Sequence, residues 1–413
     1  MINPLANRAQ FDAEADVRAM WEMPSIQAAR ATAAELFRLA YGTDSPPEAL
    51  PEFDDAIDEY VTNYLFKAAA SDAAHPRFVR DFMPSYDWNG AAVPAARMGG
   101  DNPDNCYRLA GIVHGGRYRV IARPSGTEPA NTSFTLTGNY GTSVTIQTIE
   151  NWQLTREPDG SFVITIDDQP ANGRRNHLTT APHVKFLFVR ESFGDWAAEA
   201  SYEFAIERLD RVDVPPLAIE QMAERAAFRL VEDVPLYYWF QRLFSGVARN
   251  SIRPPLDSAR LGGLVTQAGV QGHFVLGEDD AVLIRLNPAG GRYVAVSLVD
   301  WWFRSMDAHK TQSSLTQHDM ARDPDGWLSV VIARRDPGIA NWLDSGGRAT
   351  SLFLARWQAL PAEPVAGGPQ ITSEIMAIDR LPRALMETQP IDPATRALRL
   401  AGRQAAWNRR VNI

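Results

Sequence analysis

Two stretches of the chain gather the side chains best suited to chemistry. The first holds Arg174, Arg175, Asn176 and His177, followed by Arg190, Glu191, Asp195 and Trp196. Histidine titrates nearest neutral pH, so His177 is the candidate general base, with Asp195 to orient its ring and Arg190 to hold an anionic group. The second stretch sets Asp336, Asn341, Trp342, Asp344 and Arg356 beside Gln312, Ser313 and His318. Asn341 and Arg356 repeat Asn176 and Arg190, and a polar clamp fastening a strand end to a loop would use the same residues in both places. His177 stands where the second stretch has Trp342, and that break in the repeat is where a catalytic role has room. Asp336-Pro337-Gly338 is also a turn signal, in which Asp336 caps its own backbone. A Ser313–His318–Asp344 triad can be drawn, but triad members meet only through the fold and the spacing does not argue for it.

Binding candidates are Asn176, Trp196, Trp301, Trp302, Gln312, His318, Asn341, Trp342, Asp344 and Arg356. The aromatic runs Trp301-Trp302-Phe303 and Tyr237-Tyr238-Trp239-Phe240 suit an apolar pocket for a ring-bearing ligand, and equally suit the filling of a β core. No Gly-x-Gly-x-x-Gly, Walker loop, Gly-x-Ser-x-Gly elbow or His-Glu-x-x-His occurs. The seven histidines, at 75, 114, 177, 183, 273, 309 and 318, form no short ligand pair, and Cys106 is the single cysteine. Neither a metal nor a cofactor is expected, and an internal disulfide is excluded.

These residues need elements to position them. Phe53, Ile57, Tyr60, Val61, Tyr64 and Leu65 follow helical spacing, with Asp54, Asp55, Asp58 and Glu59 expected on the outer face. An earlier helix is predicted over 25–41, with Ser25 as N-cap and Gly42 as its stop. From Tyr107 the period changes to two, and short β-branched or aromatic runs alternate with Gly, Pro and Asn turns through Ile206. Helical spacing returns over 217–244, with a break or kink at Pro235. A second β stretch covers about 262–381, and Asp392-Pro393 opens an arginine-rich C-terminal helix. The resulting partition is a helical region 1–85, a β unit 86–212, a helical connection 213–258, a β unit 259–385 and a C-terminal helix 386–413.

The two β stretches share short matches in the same order. Gly115-Gly116-Arg117-Tyr118 pairs with Gly290-Gly291-Arg292-Tyr293, and Arg156-Glu157-Pro158-Asp159-Gly160 with Arg322-Asp323-Pro324-Asp325-Gly326. Asn176-His177-Leu178 pairs with Asn341-Trp342-Leu343, Leu187–Arg190 with Leu352–Arg356, and Ala205–Leu209 with Ala377–Leu381. The expected fold is mainly β with helical additions: two tandem, related antiparallel β-sandwich or jelly-roll units packed pseudo-symmetrically. The run Asp336–Gly347 ending in Leu354-Ala355-Arg356-Trp357, with Asn102–Tyr107 and Gln312–Leu315, resembles a bacterial family related to the domain of unknown function numbered 1214. That resemblance implies duplicated jelly-roll domains with helical additions and no settled reaction.

Composition bounds what remains. The 413 residues are 45% hydrophobic and carry a net charge of −9, which argues against a nucleic-acid partner. Only Lys67, Lys185 and Lys310 are lysines, leaving few candidates for Schiff-base chemistry. No apolar run is long enough for a signal peptide or a membrane span, so a cytoplasmic protein without a membrane partner is expected. Three functions compete. One is a cofactor-independent hydrolase, lyase or isomerase acting on an apolar or aromatic small molecule at the junction of the β units. The second is a non-catalytic binder of a carbohydrate or hydrophobic metabolite, and the third a structural protein; homo-oligomerisation is compatible with each.

Overall fold

The structure, a computed structural model, describes residues 6–88, 90–140 and 144–411. The first five residues of the expected helical region and the last two of the C-terminal one lie outside it. Three helices come first, α1 (Arg8–Trp21), α2 (Pro24–Tyr41) and α3 (Phe53–Ala69). Helix α2 starts one residue before expectation: Ser25 is not its cap, because Pro24, whose ring presets a helical φ, occupies the first turn after Met23. Gly42 does end it, with φ of 50°. The predicted apolar stripe of α3 is buried, and Asp54 and Asp55 are exposed. Glu59 departs from expectation. It is buried between Arg97 (2.7 Å) and Arg304 (2.9 Å), because α3 is covered on nearly all sides rather than along one face.

Eleven strands follow: β1 (Val79–Asp81), the short pair β2 (Tyr86–Trp88) and β3 (Ala91–Val93), then β4 (Asn105–Gly111), β5 (Tyr118–Arg123), β6 (Asn131–Thr137), β7 (Thr145–Glu150), β8 (Phe162–Asp167), β9 (His177–Thr179), β10 (Phe186–Ser192) and β11 (Glu203–Arg208). Helices α4 (Ile219–Glu232) and α5 (Val234–Ser245) meet at Asp233, and Pro235 in the first turn of α5 accounts for the break. The second β region runs β12 (Ser251–Ile252), β13 (Leu256–Asp257), β14 (Ala268–Val275), β15 (Asp280–Leu286), β16 (Tyr293–Val299), β17 (Ser314–Thr316), β18 (Leu328–Ala333), β19 (Trp342–Asp344), β20 (Thr350–Gln358) and β21 (Ile371–Ala377). Helices α6 (Arg383–Thr388) and α7 (Pro393–Val411) close the chain.

The fold is mainly β with helical additions. One sheet has the order β1-β4-β10-β6-β7 and faces a second, β11-β5-β8-β9, across a core that includes Phe134, Phe162 and Leu187. A third sheet, β12-β14-β20-β16-β17, faces a fourth, β19-β18-β15-β21, across Phe274, Phe353 and Trp357. From β4 and from β14 onward the strand orders run in parallel, and β9 and β19 each pair in parallel with the strand beside them. Four of the five sequence matches fall at corresponding places in those orders. Gly115–Tyr118 and Gly290–Tyr293 do not, since the first leads into β5 and the second into β16.

A further core lies outside both sheet pairs. There Tyr60, Tyr64 and Phe66 of α3 and Tyr237 and Phe244 of α5 pack against Tyr107 and Phe188 of one sheet and Leu352 and Leu354 of the other. Burying a side chain of this size contributes about 1.5–3 kcal/mol, so the helices are held both by one another and by the sheets' outer faces. That shared apolar layer is where the two sheet pairs meet.

Candidate functional site

His177, Asp195 and Arg190 are not brought together. His177 is on β9, at one edge of its sheet, where Nδ1 meets Thr165 Oγ1 at 2.8 Å and Nε2 meets the Gln169 carbonyl at 3.0 Å. Its neighbouring carboxylate is Asp167, at 3.4 Å, rather than Asp195. Asp195 caps the turn after β10 by accepting from the Ala197 and Ala198 amides, and its other oxygen lies 3.3 Å from His318 Nε2 at the surface. The physical reason is topological: β9 and β10 are in opposite sheets, so residues close in sequence project to different faces.

Of the expected clamp, the asparagine part is the same in both places, while Arg190 and Arg356 lie in the facing sheets and take no part in it. Asn176 accepts from the Thr155 amide and donates to its carbonyl (2.9 and 2.7 Å), and Asn341 does the same to Ala321 (2.8 and 2.8 Å). Trp342 donates to the Ala333 carbonyl, Gln312 to the Ala340 and Trp342 carbonyls, and Asp344 accepts from the Gly346 amide. Ser313, His318 and Asp344 form no triad, because His318 pairs with Asp195 and Asp344 closes its own turn. Trp301 and Trp302 follow β16 in a turn and are buried against the helices, donating to Ser45 Oγ and the Ala49 carbonyl. Trp196 is buried under Arg403 and donates to Asp104.

Arg190 and Arg356 are the predicted residues that reach a cavity. It has a volume of about 260 Å³ and lies at the shared layer, walled by both sheet pairs and by α3 and α5. Its apolar wall is Phe188, Phe303, Leu354 and, on α5, Leu236, Tyr237, Phe240, Leu243 and Phe244. The spacing of Tyr237, Phe240 and Phe244 by three and four places them on one helical face. Polar groups enter from the loop before β4: Asp101 and Asn102, with Asn105 and Tyr107 on the strand itself. Gly100 makes that loop possible. It has φ of 66°, and a Cβ there would come within 2.6 Å of the Phe303 ring.

The two arginines are placed alike. Arg190 stands opposite Tyr107 across the β4–β10 ladder and donates Nη1 to Thr135 Oγ1 (3.3 Å) on β6. Arg356 stands opposite Gly269 across β14–β20 and donates Nη1 to Ser297 Oγ (3.1 Å) on β16, with its Nη2 bonded to the Gly100 carbonyl. Tyrosine opposite one arginine and glycine opposite the other leaves open space on one side. Neither guanidinium has a carboxylate partner among the described residues, whereas Arg108, on the same first sheet, pairs with Glu191 at 2.9 Å. Burial pulls Arg190 down to about 10, partly offset by the Tyr107 hydroxyl. Burial also pushes Tyr107 up to about 12, so it remains a proton donor, and its hydroxyl already accepts from the Asn102 amide. Asp101 is pushed up to about 6 by burial, against two hydrogen bonds from Ser305.

A larger cleft of about 870 Å³ lies between α1, α3 and the 300–311 segment. Its charges largely satisfy one another: Arg97 pairs with Glu59 and Asp307, Arg304 with Asp300 and Glu52, Arg348 with Glu52 and Lys310 with Asp307. Such a closed network offers a ligand few free groups. Tyr107, Asp101, Leu236, Leu243 and Phe244 were not among the predicted site residues, whereas Tyr237 and Phe240 belong to the aromatic run offered for an apolar pocket. The one signal in the sequence that could have extended the set is the three- and four-residue spacing of Tyr237, Phe240 and Phe244 after Pro235.

No family model matches the chain, and no curated protein matches it. A crystal structure of an uncharacterised protein from Burkholderia cenocepacia is similar, at 25% identity and a TM-score of 0.72, over 89% of this chain and 100% of that one. A protein from Vibrio parahaemolyticus matches at 11% identity and a TM-score of 0.39, over 78% of this chain and 99% of that one. The first likeness supports a mainly β fold with helical additions over nearly the whole chain. Neither description states an activity.

Proposed function

We propose that the protein binds a small apolar or aromatic molecule in the cavity between the two sheet pairs. The observation that carries this reading is one space lined by α5 aromatics and by a few convergent polar groups, the usual composition of a small-molecule site. The two sheet pairs are, in this reading, tandem copies of one jelly-roll unit packed pseudo-symmetrically, with the partition of the chain given above. The likeness to proteins related to domain 1214 and a cytoplasmic location belong to the same proposal. A carbohydrate is less well served, because Trp196, Trp301, Trp302 and Trp342 are buried and offer no flat platform.

The enzymatic form of the reading moves its acid–base group from His177 to Asp101. A carboxyl held near pH 6 on a cavity wall can exchange a proton at physiological pH, which a cofactor-independent hydrolase, lyase or isomerase requires. His177 does not line this cavity; it lies on β9 with both ring nitrogens engaged.

Binding is tested by titrating the protein with the neutral ring compound 2-naphthol in a calorimeter. Saturable single-site binding is expected, and it should be lost in Leu243→Trp, whose indole would fill the cavity from α5. Unchanged affinity in that variant would place the ligand elsewhere and defeat the proposal.

A further inference from the structure

Resting on that reading, we propose that the cavity's ligand carries a carboxylate, held between Arg190 and Arg356 with the Tyr107 hydroxyl as third donor. Arg190 is the reason to look for an anion. Its guanidinium stacks 4.0 Å over the Phe188 ring and makes a single long hydrogen bond, to Thr135. Ser133, directly across β6 from it, has a buried hydroxyl without a partner among the described residues. Arg190 is half-buried, its open side being the cavity, and a guanidinium drawn partly out of bulk water is best served by an anionic partner. The remaining N–H groups of Arg190 belong to a side chain that lines the cavity.

Arg356 reaches the same cavity from the other sheet pair, and Gly269 opposite it adds no side chain. Tyr107 is the cross-strand neighbour of Arg190, so its hydroxyl and that guanidinium project from the same face. Two planar guanidinium forks and one hydroxyl suit a planar carboxylate. Asp101 and Asp233 also line the cavity, which disfavours a dianion such as a phosphate monoester. The α5 aromatics would cover the apolar body. The inferred ligand class is therefore a small aryl or alkyl carboxylate.

The experiment compares 2-naphthoate with its uncharged isostere 2-naphthamide in the full chain, by calorimetry. The wild type should bind the acid roughly tenfold or more tightly than the amide, as expected of charge-assisted hydrogen bonds. In Arg190→Gln the preference should vanish while amide affinity stays close to wild type. Arg356→Gln serves as the second variant and should lose much of the same preference; circular dichroism checks that each folds. Equal binding of acid and amide by the wild type, or an unchanged preference in both variants, overturns the carboxylate clamp while leaving the cavity reading intact. If neither compound binds, the cavity reading fails and the clamp with it.

Discussion

Asp101 is the residue whose environment makes the sharpest demand on pH. Its carboxyl ordinarily titrates at 3.8 and is pushed up to about 6, chiefly by burial. The folded chain then holds that proton more tightly than the unfolded chain does. The corresponding stability is fully present below about pH 3.8 and is lost as pH rises through about 6. Asp101→Asn, which keeps an acceptor for the Ser305 amide, should therefore raise the melting temperature most near pH 8 and far less near pH 4. The shift corresponds to roughly 3 kcal/mol at most. A variant equally stabilised at both pH values would show that ionisation of Asp101 is not the cause. Residue identity made His177 the natural acid–base candidate, because its type titrates near neutrality in isolation. Burial reverses that ranking: an aspartate in a cavity wall acquires the property, and no feature of the local sequence around Asp101 announces its burial.

At the scale of elements, the two sheet pairs are tied by a knot of side chains around Asp104. Its carboxylate accepts from Trp196 Nε1 (2.9 Å), Tyr293 Oη (2.8 Å), Ser314 Oγ (2.9 Å) and Arg403 Nη2 (3.3 Å), joining β16, β17 and α7 to the loop before β4. Removing it in Asp104→Ala leaves the Trp196, Tyr293 and Ser314 donors without their acceptor and strips one carboxylate from the buried Arg403, which keeps Ser314 and, at 3.7 Å, Asp319, a loss of about 3–5 kcal/mol. Urea unfolding should register that loss, and a change below about 1 kcal/mol would mean that the knot is replaced by other contacts. The sequence made the short motif around Asn102–Tyr107 conspicuous without indicating what it holds. Strand periodicity, turn residues and the Asn176 and Asn341 clamps were legible because they are local. Asp104 was not, because its partners lie some 90 to 300 residues away along the chain. Glu59 failed for a related reason: helical periodicity identifies one apolar face, and α3 is packed on several.

Across the whole molecule, a mainly β fold with helical additions was readable from strand and helix periodicity, and the collinear matches directed attention to the place where the two sheet pairs meet. Arg190 and Arg356 could be matched to each other from sequence because they repeat, yet only the fold shows both reaching one cavity. The wall opposite them, on α5, comes from a helix between the two β regions that no repeat marks. Residue type singled out both the arginines and the Tyr237–Phe240 aromatic run, but only the fold sets Tyr237 and Phe240 against the arginines. The most direct test of the account is to soak crystals with 4-bromobenzoate and locate bromine by its anomalous signal. The expected result is a peak in the cavity beside Tyr237, Phe240 and Phe244, with the carboxylate turned toward Arg190 and Arg356. Bromine found only elsewhere, such as in the larger cleft lined by Glu59, Arg97 and Arg304, or no bound bromine at saturating concentration, would contradict it.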